Sequence, residues 1–133
     1  MEFKGIKETC IYSTDLEASK SFYHDQLDLE IISYVLGRHI FFRVGYSVLL
    51  VFNPDDAGQK TSPPAHHGQG KLHFAFEVSR EDYLEWKDKV NRLDIEIIDE
   101  VIWQSGQESF YFNDPDGHVL EIIPEGVWDA LPS

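Results

Sequence analysis

The stretch Leu27-Asp28-Leu29-Glu30-Ile31-Ile32 returns 66 residues later as Leu93-Asp94-Ile95-Glu96-Ile97-Ile98. The offset drifts between 65 and 70, carrying Glu8 onto His73 and residues 39–43 onto 109–113. A chain of 133 residues that repeats itself once is too short for a solenoid. It points instead to a pair of like modules.

Each module reads as strand, helix, then three strands. In the first, residues 6–13 form a strand candidate. Thr14 and Glu17 fit a capping box, and Asp15 and Glu17 suit the positive end of a helix. Leu16, Phe22, Tyr23 and Leu27 form the helix's apolar stripe. Strands follow at 30–36, 39–44 and 47–52, broken at Gly37 and Gly45. The second module starts with strand 71–78 and a helix start at Ser79 with Asp82. Tyr83, Trp86, Val90 and Leu93 share a helical face, and strands follow at 95–102, 109–113 and 118–123. Asp114-Pro115-Asp116-Gly117 suits a type I turn between the last two. Residues 53–70 lack periodicity and are rich in Pro and Gly, and His66-His67 reads there as a solvated pair rather than a metal site. The expectation is one α+β domain over 1–133, made of βαβββ modules 4–54 and 71–125 joined by loop 55–70.

Charge narrows the partners. There are 24 Asp+Glu against 11 Lys+Arg, a net charge of −13. Nucleic acid and anionic lipid both need clustered cations, so neither is expected as a partner. A hydrophobic content of 42% argues against disorder. No apolar run approaches the ~20 residues of a membrane span, and the opening MEFKGIKET has no signal core, so a cytoplasmic location is expected. Cys10 is the single cysteine, which excludes an intrachain disulfide.

Three segments resemble the vicinal oxygen chelate superfamily of glyoxalases, fosfomycin thiol transferases, bleomycin-resistance proteins and extradiol dioxygenases. They are the run from Glu8 through Asp15-Leu16 to Phe22-Tyr23, the strand Leu72-His73-Phe74-Ala75-Phe76-Glu77-Val78, and Ser109 through Asp114-Pro115-Asp116-Gly117 to Glu121-Ile122. The resemblance implies a curved mixed sheet built from the two modules. It implies a divalent metal, Mn, Fe, Ni, Co or Zn, on Glu8, His73 and Glu121. A fourth ligand found in some members would fall at Leu49 or Val51, both apolar. It also implies a homodimer with sites shared between chains, Glu8 of one subunit joining His73 and Glu121 of the other.

The strand period supports part of this placement, since Glu8, Cys10 and Tyr12 share one face and His73, Ala75 and Glu77 another. One imidazole and two carboxylates make a hard, open donor set able to polarise a bound oxygen. Glu121 is the candidate base, and Tyr111 stands where the thiol transferases carry a substrate-contacting Tyr. Cys10, Arg43 and Trp103 are candidate substrate contacts. The expected function is a metalloenzyme of glyoxalase/dioxygenase type acting on a small oxygen-chelating molecule, with lyase, thiol transferase and dioxygenase chemistry all open. The alternative is a metal-free small-molecule binding protein of bleomycin-resistance type.

Overall fold

A computed structural model describes residues 1–59 and 61–129. The chain divides into two units, residues 1–70 and 71–133. The first contains β1 (Glu8–Tyr12), α1 (Leu16–Ser19) running on as a π-helical segment (Lys20–Gln26), β2 (Glu30–Val35), β3 (His39–Val44), β4 (Ser47–Phe52) and the short α2 (Pro54–Ala57). The second contains β5 (His73–Val78), α3 (Tyr83–Arg92), β6 (Ile97–Ile102), β7 (Glu108–Asn113) and β8 (Val119–Pro124). Both units are βαβββ modules, so the fold is α+β. Among the described residues no helix is long and apolar enough to cross a membrane.

Each unit has its own four-stranded mixed sheet, ordered β1-β4-β3-β2 and β5-β8-β7-β6. The first and last strands of each module pair in parallel, and the other pairings are antiparallel. Alternation along the strands decides which side chains meet the helix. In the first unit Ile11, Ile40, Phe42, Leu49 and Val51 are buried, together with Phe22, Tyr23 and Leu27 from the helical stretch. Tyr23 packs on Phe42 with ring centroids 5.4 Å apart. In the second unit Phe110, Phe112, Leu120 and Ile122 are buried with Tyr83 and Val90 of α3.

Several local expectations shift. The cap of α1 is Asp15, whose carboxylate accepts from the Ala18 N–H; it is not Thr14. Asp82 caps α3 by position, and Ser79 serves it one turn earlier by accepting from the Asp82 N–H at 3.2 Å. The helix after α1 opens into π geometry, which places Phe22 and Tyr23 side by side in the core. His66 is not a solvated loop residue: its Nδ1 lies 2.8 Å from the Tyr12 hydroxyl and its ring packs edge-on to Phe52 at 4.5 Å.

The repeat also holds at irregular positions. Asp28 and Asp94, at matching places just after the helices, both adopt positive φ, 64° and 58°. β2 and β6 both carry a register shift, between Ile31 and Ser33 and between Ile97 and Asp99. Such a bulge turns the residues beyond it onto the other face.

Candidate metal centre

Strand parity in the second unit sets one face against α3 and turns the alternate side chains to the other. Phe110 of β7 packs on Tyr83 of α3, with ring centroids 5.7 Å apart. Its neighbours Ser109 and Tyr111 therefore occupy the other face. The β7–β8 register sets Tyr111 opposite Glu121, and the β5–β8 register sets His73 opposite Val119. Three of the residues singled out in the sequence thus share one face: His73, Tyr111 and Glu121.

Their contacts are specific. His73 Nδ1 lies 2.8 Å from the Val119 carbonyl oxygen. A carbonyl only accepts, so Nδ1 carries the hydrogen, and in the neutral ring Nε2 presents its lone pair. That lone pair faces Glu121 Oε1 at 3.5 Å. Glu121 is 5% exposed, and its other oxygen, Oε2, is buried without a hydrogen-bond partner among the described residues. A buried carboxylate oxygen left unmet is costly, by roughly 1–3 kcal/mol or more for a charged group. A cation between imidazole and carboxylate answers both features, so the donor set fits a divalent ion. The Tyr111 ring lies 6.0 Å from that of His73. Burial raises the Tyr111 hydroxyl pKa; a hydrogen bond with Ser109 opposes the rise, and a hydrogen bond to Glu121 together with that carboxylate's charge adds to it. The phenol therefore stays protonated at neutral pH and is a donor.

Trp103 lies at the edge of the same unit. Its Nε1 donates to Ser109 Oγ at 2.9 Å, and its ring meets that of Trp128 at 5.5 Å.

In the first unit, Glu8 is exposed and pairs with Val48, while Cys10 pairs with Leu50. Burial pushes the Cys10 thiol pKa up, and Glu8 adds to the rise against a hydrogen bond from Tyr12, so the thiol is a poor nucleophile. Tyr12 is likewise pushed up to about 12, chiefly by burial. Arg43 is exposed and engaged, with Nε 3.3 Å from Glu30 Oε2. The repeat-equivalent of Glu121 is neither Leu49 nor Val51, which are buried on the helix face. It is Leu50, set opposite Phe41 as Glu121 is opposite Tyr111. The position remains apolar and cannot bind a metal. Phe41 and Leu50 thus stand where the second unit has Tyr111 and Glu121.

A second group of ligand-type side chains went unnoticed in the sequence. Asp114, Asp116 and His118 bring potential donor atoms within 4.8 Å of one another, so they form a possible metal-binding triad. Asp114 Oδ1 accepts from the Asp116 and His118 N–H groups, at 3.0 and 2.8 Å.

Residues 6–125 match the family described as glyoxalase-like domain, and the chain belongs to that family. This places it in the vicinal oxygen chelate superfamily. Among curated relatives it is 26% identical to the metallothiol transferase FosB of Staphylococcus epidermidis, over 98% of this chain and 89% of that protein. It is 28% identical to the glutathione transferase FosA of Serratia marcescens, over 90% and 79%. Among solved structures, lactoylglutathione lyase from Agrobacterium tumefaciens superposes with a TM-score of 0.91 at 30% identity, covering 96% of this chain and 98% of that one. The fold is also shared with the fosfomycin resistance protein FosX of Listeria monocytogenes, at a TM-score of 0.66 and 21% identity over 91% and 90%. That FosX structure holds Mn(II).

Proposed function

We propose that this chain is a divalent-metal enzyme of the glyoxalase/fosfomycin-resistance group acting on a small, oxygen-bearing molecule with a thiol as co-substrate or as part of the substrate. The observation that carries the metal is the buried, unpartnered Glu121 Oε2 beside a His73 whose Nε2 lone pair faces the same carboxylate. The thiol is supported by the relatives' names, which share one: metallothiol transferase, glutathione transferase, lactoylglutathione lyase.

His73 and Glu121 would hold the ion, and Glu8 is the third ligand of the proposal, from a second copy of the chain. Once bound, a divalent ion supplies Lewis-acid polarisation of a substrate oxygen. The chain's own groups do the rest. Val119 fixes the His73 ring so that Nε2 remains available. The protonated Tyr111 hydroxyl donates to a developing negative charge on the substrate. Glu121, when it is not engaged as a ligand, is the group that accepts a proton.

Elemental analysis after reconstitution with Mn²⁺, Ni²⁺ or Zn²⁺ tests the reading. Stoichiometric metal that is lost in His73→Ala and Glu121→Ala supports it. Wild-type protein that takes up no metal, or folded variants that keep it, overturns it in favour of a metal-free binding protein. Activity is then sought with fosfomycin or methylglyoxal in the presence of a small thiol.

A further inference from the structure

His73 and His118 are both held by backbone groups, but through opposite chemistry. His73 Nδ1 faces the Val119 carbonyl, so it bears the hydrogen and leaves Nε2 as the lone-pair nitrogen. His118 Nδ1 instead accepts from the Leu72 N–H at 3.0 Å, so here Nδ1 holds the lone pair and the hydrogen of the neutral ring sits on Nε2. A ring held this way offers no lone pair to a metal. Nδ1 is occupied by Leu72, and freeing Nε2 would aim an Nδ1 hydrogen at the Leu72 hydrogen. His118 is also 2% exposed, which fixes the ring further.

The position of His118 gives this bond a use. Leu72 immediately precedes His73, and Val119 immediately follows His118. The Leu72 carbonyl accepts from the Val119 N–H at 2.8 Å. Leu72 is thus gripped twice, through its N–H by the His118 ring and through its carbonyl by the Val119 backbone. Val119 in turn orients the His73 ring. At the other end, Asp114 accepts from the His118 N–H, and the Asp114 N–H donates to the His118 carbonyl at 3.0 Å.

We infer that the Asp114–His118 turn is a positioning device for His73, connected to it through the His118–Leu72 bond, and is not itself a metal site. The inference rests on His73 being a ligand in the metal centre proposed above. Asp114 and His118 serve by satisfying backbone groups, and His118 is a positioning residue that never touches the ion. Their side chains come close because a tight turn brings them together.

The test uses the full chain labelled with ¹⁵N, long-range ¹H–¹⁵N spectra of the imidazoles, and titration with Zn²⁺ alone. In the metal-free protein we expect His73 to carry its hydrogen on Nδ1 and His118 on Nε2, and added Zn²⁺ to move the His73 Nε2 signal while sparing His118. His118→Phe keeps a ring but loses the acceptor. It should weaken Zn²⁺ binding about tenfold or more and leave the His73 ring without a single tautomer. His118→Asn, whose side-chain oxygen can take the Leu72 N–H, should restore both, and Asp116→Asn should bind Zn²⁺ as wild type does. A folded His118→Phe with wild-type affinity and an unchanged His73 ring overturns the inference. So does Zn²⁺ that moves His118, or Zn²⁺ binding that is lost in Asp116→Asn. If His118→Phe does not fold, the wild-type spectra and His118→Asn decide. His73→Ala separates the two levels: unchanged Zn²⁺ affinity there sinks the metal centre itself, whatever the His118 variants do.

Discussion

Glu121 places a carboxylate where the first unit has a leucine. Its carboxylate is buried with one oxygen unmet, while the matching position in the first unit is Leu50. Replacing a poorly compensated buried charge by an apolar group of similar volume is often neutral or stabilising, by roughly 1–4 kcal/mol. Glu121→Leu should therefore raise the melting temperature of chelator-treated protein while abolishing metal uptake. A melting scan with and without EDTA checks this: wild type should lose stability on chelation, and the variant should not respond. A variant that melts lower than chelated wild type would show that the carboxylate has a structural partner in solution. Cys10, by contrast, is a residue from which little chemistry is expected, because burial and the Glu8 charge both raise its thiol pKa. Alkylation by a neutral reagent at pH 7 should be slower than that of a free thiol such as glutathione.

At the scale of elements, α3 is fastened to its sheet by one polar network. The Tyr83 hydroxyl donates to Glu108 at 2.9 Å, and Lys87 lies 3.0 Å from Glu108 and 2.9 Å from Glu100. Burial alone would raise the Glu108 pKa, but hydrogen bonds from Lys87 and Tyr83 outweigh it and hold it low. Burial alone would lower Lys87, but its two carboxylate partners outweigh that and hold it high. The lowered carboxyl contributes stability that is present above its unfolded pKa of about 4.3 and is lost as pH falls through the folded value. The raised ammonium contributes stability that is present below about 10.4 and is lost as pH rises through its folded value. Stability from this network should thus be flat between roughly pH 5 and pH 10 and decline outside that window. Lys87→Met should cost about 1–2 kcal/mol within the window and flatten the alkaline decline, as read by urea denaturation across pH. The helix ends make a second prediction. Asp28 and Asp94 occupy the left-handed region, which a β-branched side chain resists. Asp94→Val should destabilise by roughly 1–2 kcal/mol, and Asp94→Gly should not. Both aspartates were visible in the repeated Leu-Asp motif, but nothing in that motif announced their conformation, because Asp is common in many turns.

For the whole molecule, the proposed third ligand, Glu8 of a second copy, makes assembly part of the metal centre. If Glu8 of one chain completes the site of another, Glu8→Ala and His73→Ala subunits complement each other. A mixed dimer then contains one site with both replacements and one with neither. Subunits dissociated and re-associated at equal concentration should recover about a quarter of the wild-type Zn²⁺ sites, since half the dimers are mixed and each has one intact site. No recovery in a confirmed mixed dimer would place all the ligands within one chain.

What the sequence determined by itself was the repeat, the βαβββ order and the two faces of each module's first strand, because hydrophobic period and turn chemistry are local. It also named His73, Tyr111 and Glu121, through a resemblance that spans nearly the whole chain. It misplaced the counterpart of Glu121 by one residue, since the pairing of β3 with β4 is a property of two strands. The bulges after Ile31 and Ile97 stayed hidden for the same reason. His66 looked solvated because its partners, Tyr12 and Phe52, lie on other elements. Only the tertiary structure decided that Glu121 Oε2 is buried and unmet, and that two histidines are held in opposite tautomers. Burial and hydrogen-bond direction belong to neighbours in space, and a strand pattern does not name those neighbours.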